Sequence, residues 1–171
     1  MRTPDKAEYV LLGALLALLA LAISGPWLAQ PAHQHGFADQ RSWGAIACAL
    51  DVLSNLPFAL WGALGLVLVA AGRQQPARTA WLRGTAQQGL SALFFAGLLL
   101  TAVASSWYHL QPDDARLVAD RLGMTVAFAG LLGLAAAGHI SARAGLLLAG
   151  AVLLLGPVSM DVWSMTGNIF P

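Results

Sequence analysis

Three polar side chains between residues 105 and 120 are of types that could do chemistry together. Ser105 and His109 are four residues apart, so on a helix they lie on one face, one turn from each other. Asp120 follows a reversal at Pro112, because a proline disfavours continuation of the preceding helix, and Asp113 or Asp114 is available as the N-cap of the next helix. Imidazole binds zinc, a carboxylate takes a proton from bound water, and a hydroxyl stabilises an oxyanion. The spacing therefore predicts a hydrolytic or metal site in which these three side chains meet.

A second polar cluster lies in the stretch Asp51-Val-Leu-Ser-Asn55-Leu-Pro57. Asp51 and Asn55 share a helix face, and they would support the site through hydrogen bonds or help to hold a hard cation. A role in starting and kinking the helix together with Pro57 is an equally open interpretation.

Each of these residues also has a structural interpretation. Ser105 would be a helix-packing serine and His109 an interfacial histidine, while Asp120 would pair with Arg116 or Arg121. For the three together we favour the functional interpretation, because ionisable groups inside a membrane are costly to keep. His33 and His35 are a weak metal signal, and we interpret them as solvated loop histidines.

The elements that must position these side chains are membrane helices. Hydrophobic residues make up 58% of the 171 residues and charged residues 10%, and the mean hydropathy is +0.68. A bilayer core takes roughly 20 apolar residues per helix, whereas a barrel strand has about 10 alternating ones. The sequence therefore predicts an all-α bundle in one transmembrane domain, residues 1–171. The five predicted spans are Tyr9–Ala29, Ala45–Gly72, Leu90–Leu110, Ala115–Gly138 and Ala144–Met160.

The distribution of basic residues predicts the orientation. Six of the nine lie in the N-terminus and the even-numbered connections, which the positive-inside rule assigns to the cytoplasm. The site would then face the extracytoplasmic side of a bacterial inner membrane. A net charge of +1 argues against nucleic acid as a partner. These six residues are Arg2, Lys6, Arg73, Arg78, Arg83 and Arg143.

Three further expectations concern particular segments. The first apolar segment is expected to be a retained helix, with a signal peptide as its alternative. Cys48 is expected inside the second helix, which leaves no disulfide framework. The segment Asp161–Pro171 is interpreted as a connection to a further helix.

With Ser105-Ser-Trp-Tyr-His109 and Asp120-Arg121-Leu122, the chain resembles the alkaline ceramidase family, and especially bacterial ceramidase-domain proteins. That family lies within a superfamily of membrane hydrolases that also contains the progestin and adiponectin receptors. The resemblance covers roughly residues 37–128. Its other supporting stretches are Phe37–Arg41, Asp51–Phe58 and Tyr108–Thr125.

The resemblance implies a zinc-dependent amidase that acts in a membrane on a lipid amide such as ceramide. His109 would be a zinc ligand, Asp120 the base that orients the water, and Ser105 the oxyanion group. The family's calcium site would correspond to Asp39 and Asp51. Its other two zinc ligands form a His-x-x-x-His pair on the last of seven helices, and this sequence has no such pair. We therefore expect either a truncated chain or a protein that has lost its metal site, with an extra helix at 9–29 and a partial ceramidase-like core at 37–171.

Two rival functions stay open. One is a non-catalytic, receptor-like or degenerate member of the same superfamily. The other is a small transporter or channel subunit that uses Asp120 and Arg121 as an intramembrane pair.

Overall fold

The computed structural model describes residues 5–31, 35–37, 40–74 and 84–169. Within these residues the chain is a helical bundle, and the predicted all-α class is confirmed. Five helical segments are long and apolar enough to span a membrane, with α2 and α3 together forming the second. The helices are α1 Lys6–Ser24, α2 Ala49–Leu53, α3 Leu56–Gln74, α4 Thr85–Leu110, α5 Asp114–His139 and α6 Ala142–Thr166; the strands β1 Leu28–Ala29 and β2 Asn168–Ile169 pair antiparallel.

The helix ends follow local side-chain chemistry. Asp5 and Glu8 form a capping box at the start of α1, so two backbone N–H groups without a helical partner are satisfied. The carboxylate of Asp113 accepts from the Arg116 backbone N–H and caps α5, as the sequence predicts, and the Ser141 hydroxyl caps α6 in the same way. Gly167 ends α6 with a φ of 67°, a left-handed conformation that favours glycine.

Three sequence expectations about these elements are wrong. The first helix ends at Ser24 and not at Ala29, because Pro26 excludes the helical conformation at Gly25. Cys48 is the residue before α2, in a left-handed conformation with a φ of 44°, and not inside a helix. Most of the stretch after Met160 continues α6 as far as Thr166 and is therefore not a connection. Its polar residues lie at the end of the helix, where solvent-exposed side chains are tolerated.

The second span is broken into α2 and α3 at Ser54 and Asn55. The Ser54 hydroxyl and the Asn55 side-chain amide both donate to the Asp51 carbonyl, at 2.7 and 3.1 Å. Pro57 has no backbone N–H, so it cannot donate to a carbonyl in the preceding turn. Part of this polar cluster is thus used to shape the helix, as the structural alternative predicted.

The centre of the bundle is the contact between α4 and α5. A Cβ atom added to Gly97 would overlap the backbone of Ala127, and one added to Gly130 would overlap the backbone of Phe94. Backbones can approach this closely only where side chains are absent, which is how small residues act in membrane helices. On its other side α5 packs against α6, whereas α1 buries none of its residues.

We predict that Gly97→Ala destabilises the bundle, because the new methyl group meets backbone that cannot move aside. The expected loss is about 1–3 kcal/mol in the free energy of unfolding, measured by denaturant titration in detergent. Gly89→Ala is the matched control on the same helix, since a Cβ there meets nothing within 4 Å. It should leave stability unchanged or raise it by up to about 1 kcal/mol through helix propensity. Equal stabilities for the two variants would contradict the close-contact account.

Candidate catalytic site at the α4–α5 hairpin

The structure brings Ser105 and Asp120 together across the α4–α5 contact. Both residues are buried, with 8% and 7% of their surfaces exposed. Ser105 and His109 are both close enough to Asp120 to stabilise its carboxylate. Because few water molecules reach this position, the interactions are stronger than they would be on a surface.

The third member, His109, lies one turn nearer the end of α4 and reaches toward α2. Its Nδ1 atom is 3.8 Å from Oδ2 of Asp51. The ring of Phe37 covers the imidazole, with 4.5 Å between the ring centroids. His109 is therefore an ion-pair neighbour of Asp51 on α2, and it acts only electrostatically on Asp120 of α5.

The two residues of the second cluster lie on different sides of this arrangement. Asp51 is one-third exposed and meets His109, whereas Asn55 is buried beside Ser105 in the lining of a cavity. The structure therefore brings Ser105, His109, Asp120, Asp51 and Asn55 to one end of the bundle. Their catalytic, metal-binding and supporting roles stay predictions.

An apolar cavity of about 230 Å³ opens beside Ser105 between α3, α4 and α5. Its lining on α4 runs from Ser105 to Phe94, which is about 16 Å along a helix that rises 1.5 Å per residue. Asn55 and Ser105 are polar groups at one end of this lining, and apart from Thr101 the rest is hydrophobic. The lining residues are Asn55, Phe58, Phe94, Leu98, Thr101, Ser105, Met124, Ala127, Phe128 and Leu131.

Two buried polar atoms at the site lack a hydrogen-bond partner among the described residues. They are Nδ1 of His109 and Oδ1 of Asp120. Buried polar atoms normally have a partner, so these two are available to a bound group. For a zinc ion, however, the donors are too few. No three His, Cys, Asp or Glu side chains converge anywhere in the described residues, and catalytic zinc normally takes three protein ligands. The residues present thus do not complete a zinc site.

His35 is not the solvated loop histidine that the sequence predicted. Its Nδ1 lies 2.9 Å from the hydroxyl of Tyr108 and its Nε2 lies 3.0 Å from Oδ1 of Asp114. The aromatic ring of Phe37 also packs edge-on against Tyr108, and this contact helps to hold His35 beside α4. His33, the other histidine of this pair, lies outside the described residues.

Tyr108 is a residue of this region that the sequence interpretation missed. It is 4% exposed, and its ring is in contact with His35, Phe37 and His109. One signal was present, because Tyr108 is three residues after Ser105 and therefore on the same helix face.

The two arginines near Asp120 have other contacts. Arg116 pairs with Asp113 at 3.1 Å and donates to the carbonyl of Gln111, while the guanidinium of Arg121 lies 5.1 Å from the ring centroid of Trp163. All three residues lie in the described part of the chain, and neither arginine forms an ion pair with Asp120. The intramembrane ion pair on which the transporter alternative depended is therefore not formed.

The predicted calcium site is likewise incomplete among the described residues. Asp51 is engaged with His109, and Asp39, its expected companion, lies outside the described residues.

Comparisons of the chain with protein-family models, with curated proteins and with solved structures give no match in any of the three. Membership of the ceramidase family therefore stays a prediction from the sequence stretches quoted above.

Proposed function

We propose that this protein is a ceramidase-like membrane hydrolase that cleaves the amide bond of ceramide or a related lipid amide. One observation carries the proposal: buried Ser105, which has Asp120 and His109 as neighbours, lines an apolar cavity within the membrane-spanning part of the chain. Perturbed polar groups at the mouth of an apolar pocket are what an active site for an amphiphile requires.

The cavity accounts for the class of substrate. The acyl chain of a lipid amide would lie along the hydrophobic lining between Thr101 and Leu131, so its carbonyl group would come to rest near Ser105. Asn55, buried at the same end, would hydrogen-bond to a polar group of the lipid. The contact of the acyl chain with this lining would supply binding energy away from the amide bond that reacts. That binding energy would hold the amide in the orientation that catalysis needs.

The side chains of the proposed site would transfer protons during the reaction. Asp120 would accept a proton from a water molecule as its oxygen attacks the amide carbon. The same carboxyl group would then give a proton to the nitrogen as the C–N bond breaks, which leaves a fatty acid and an amine. Ser105 has one hydroxyl proton, so on substrate binding its donation would move from Asp120 to the developing oxyanion.

The zinc part of the proposal rests on the resemblance. A zinc ion would acidify the attacking water, and His109 is the residue that would hold it. The proposal needs further ligands from outside the described residues, so no step above depends on the metal.

The finer localisation belongs to the same proposal. The basic residues favour a cytoplasmic N-terminus in a bacterial inner membrane, which would put the α4–α5 turn and the site near the extracytoplasmic face. Lipid substrate would then enter from the outer leaflet.

A non-catalytic lipid-binding protein is the second candidate. The incomplete metal-ligand set favours it, because the same cavity would bind a lipid without hydrolysing its amide. A measurement of lipid-amide hydrolysis separates the two candidates.

We expect Asp120→Asn to lower the rate of amide hydrolysis at least about 100-fold, because an amide cannot take the proton from water. The assay would use a ceramide with a fluorescent acyl chain and protein reconstituted in liposomes, with circular dichroism as the check on folding. Asp161→Asn, an exposed carboxylate in the last turns of α6, is the matched control and should keep full activity. Unchanged turnover in the Asp120 variant would exclude the base role.

A second experiment tests the metal prediction. We expect zinc to copurify with the protein and its content to fall in His109→Ala. His139→Ala is the control, since His139 lies exposed at the opposite end of the α4–α5 hairpin and should leave zinc content unchanged. Elemental analysis of folded protein measures both. A folded wild-type protein without zinc would contradict the metal prediction and favour the lipid-binding candidate.

A further inference from the structure

Arg121 lies within a membrane span on the face of α5 that is turned away from the proposed site. It is seven residues from the start of the helix, which is about 10 Å along its axis. Consecutive residues point about 100° apart on a helix, so Asp120 faces Ser105 on α4 while Arg121 faces α6. Within the described residues Arg121 forms no ion pair, and a charged group at this depth is costly unless it is paired or hydrated.

The partner of Arg121 on α6 is Trp163, whose ring lies under the guanidinium. Such a contact is favourable but leaves the N–H groups of the guanidinium free to donate. Trp163 is only 5% exposed, and its Nε1 atom is buried without a hydrogen-bond partner among the described residues. An indole N–H can only donate, so this region offers two unfilled donors, one of them charged.

On one side Trp163 lines a cavity with Gln30 and Asp114, and on its other side Trp163 and Arg121 both line a groove of about 310 Å³ between α5 and α6. The Arg121, Trp163 and Ser159 side chains lie at its polar part, and Met124, Phe128 and Met160 form its apolar part. Its lining contains no carboxylate. The groove therefore pairs an anion-binding surface with a surface for hydrocarbon.

We propose that Arg121, the Trp163 indole N–H and the adjoining groove bind an anionic lipid, with its carboxylate or phosphate headgroup at Arg121 and its acyl chain along Met124 and Phe128. Carboxylate and phosphate share the property that matters here, because both accept several hydrogen bonds from a guanidinium. The site lies on the opposite side of α5 from Ser105 and does not depend on any hydrolytic activity.

The test is a lipid-binding titration followed by native mass spectrometry, with the full chain in zwitterionic nanodiscs. The probes are oleate, dioleoyl phosphatidate, methyl oleate and inorganic phosphate. We expect the two anionic lipids to bind more tightly than methyl oleate, which has the same chain without the charge. Binding of only one anionic lipid would support the site and identify its headgroup.

Arg121→Gln should weaken binding of the anionic lipid at least about tenfold, because it removes a charged donor. Trp163→Phe keeps the ring but loses the indole N–H, and we expect a loss of about threefold. Arg116→Gln is the matched control: Arg116 also lies over a tryptophan, Trp107 at 5.2 Å, but it is already paired with Asp113. It should change binding less than about twofold.

Two results would overturn the proposal. One is equal affinity for anionic lipid in the wild type and in a folded Arg121→Gln variant, with Arg121→Met as a second variant if the first does not fold. The other is displacement of the lipid by inorganic phosphate at the same concentration, which would mean that the groove contributes nothing and the site takes a free anion.

Discussion

The close approach of the α4 and α5 backbones is the constraint on which the rest of this structure depends. Two glycines on α5 and one on α4 remove the side chains that would keep the helices apart, so the two backbones are in contact over several turns. This contact fixes the antiparallel register of the helices. The pairs in contact follow one another along the hairpin toward the turn: Gly130 with Phe94, Ala127 with Gly97, and Gly123 with Thr101. One helical turn nearer the hairpin turn, Asp120 has Ser105 as its neighbour.

The buried carboxylate is thus placed by packing several turns away from it. Burying Asp120 costs free energy, and its neighbours Ser105 and His109 offset part of this cost. One carboxylate oxygen and one imidazole nitrogen are left without partners among the described residues. In a well-packed membrane bundle such atoms are exceptional, and they are what makes this end of the hairpin a candidate site rather than a polar defect.

The helix α5 presents opposite charges to its two neighbours. Asp120 faces α4 and an apolar cavity, whereas Arg121 faces α6 and a second groove. The two side chains diverge by about 100° and form no ion pair within the described structure, although Arg121 is close enough to stabilise the Asp120 carboxylate electrostatically. A single helix therefore carries both the proposed hydrolytic site and the proposed anionic-lipid site. At the same end of the bundle, the loop with His35 and Phe37 covers Tyr108 and His109, and β1 and β2 tie the segment after α1 to the end of α6.

The sequence alone determined the class of fold and most of the helices. Apolar runs of roughly 20 residues are a strong signal because the bilayer leaves the backbone no alternative to a helix. The hairpin at Pro112 and its cap at Asp113 were likewise readable, since both effects act within a few residues. The spacing of Ser105, His109 and Asp120 also located the candidate site.

Only the tertiary structure decided what those side chains meet. Local patterns carry no information on contacts between residues far apart in sequence, so the engagement of His35 with Tyr108 and Asp114 could not be predicted. The same holds for Asp51 beside His109 and for Arg121 over Trp163. Helix ends were misplaced where other interactions competed with hydropathy: Pro26 ends the first helix at Ser24, and the Ala49 backbone N–H donates to the Arg41 carbonyl just after Cys48. The physical reason is that hydropathy reports the solvent around a segment, whereas the partner of each polar group is set by how the helices pack.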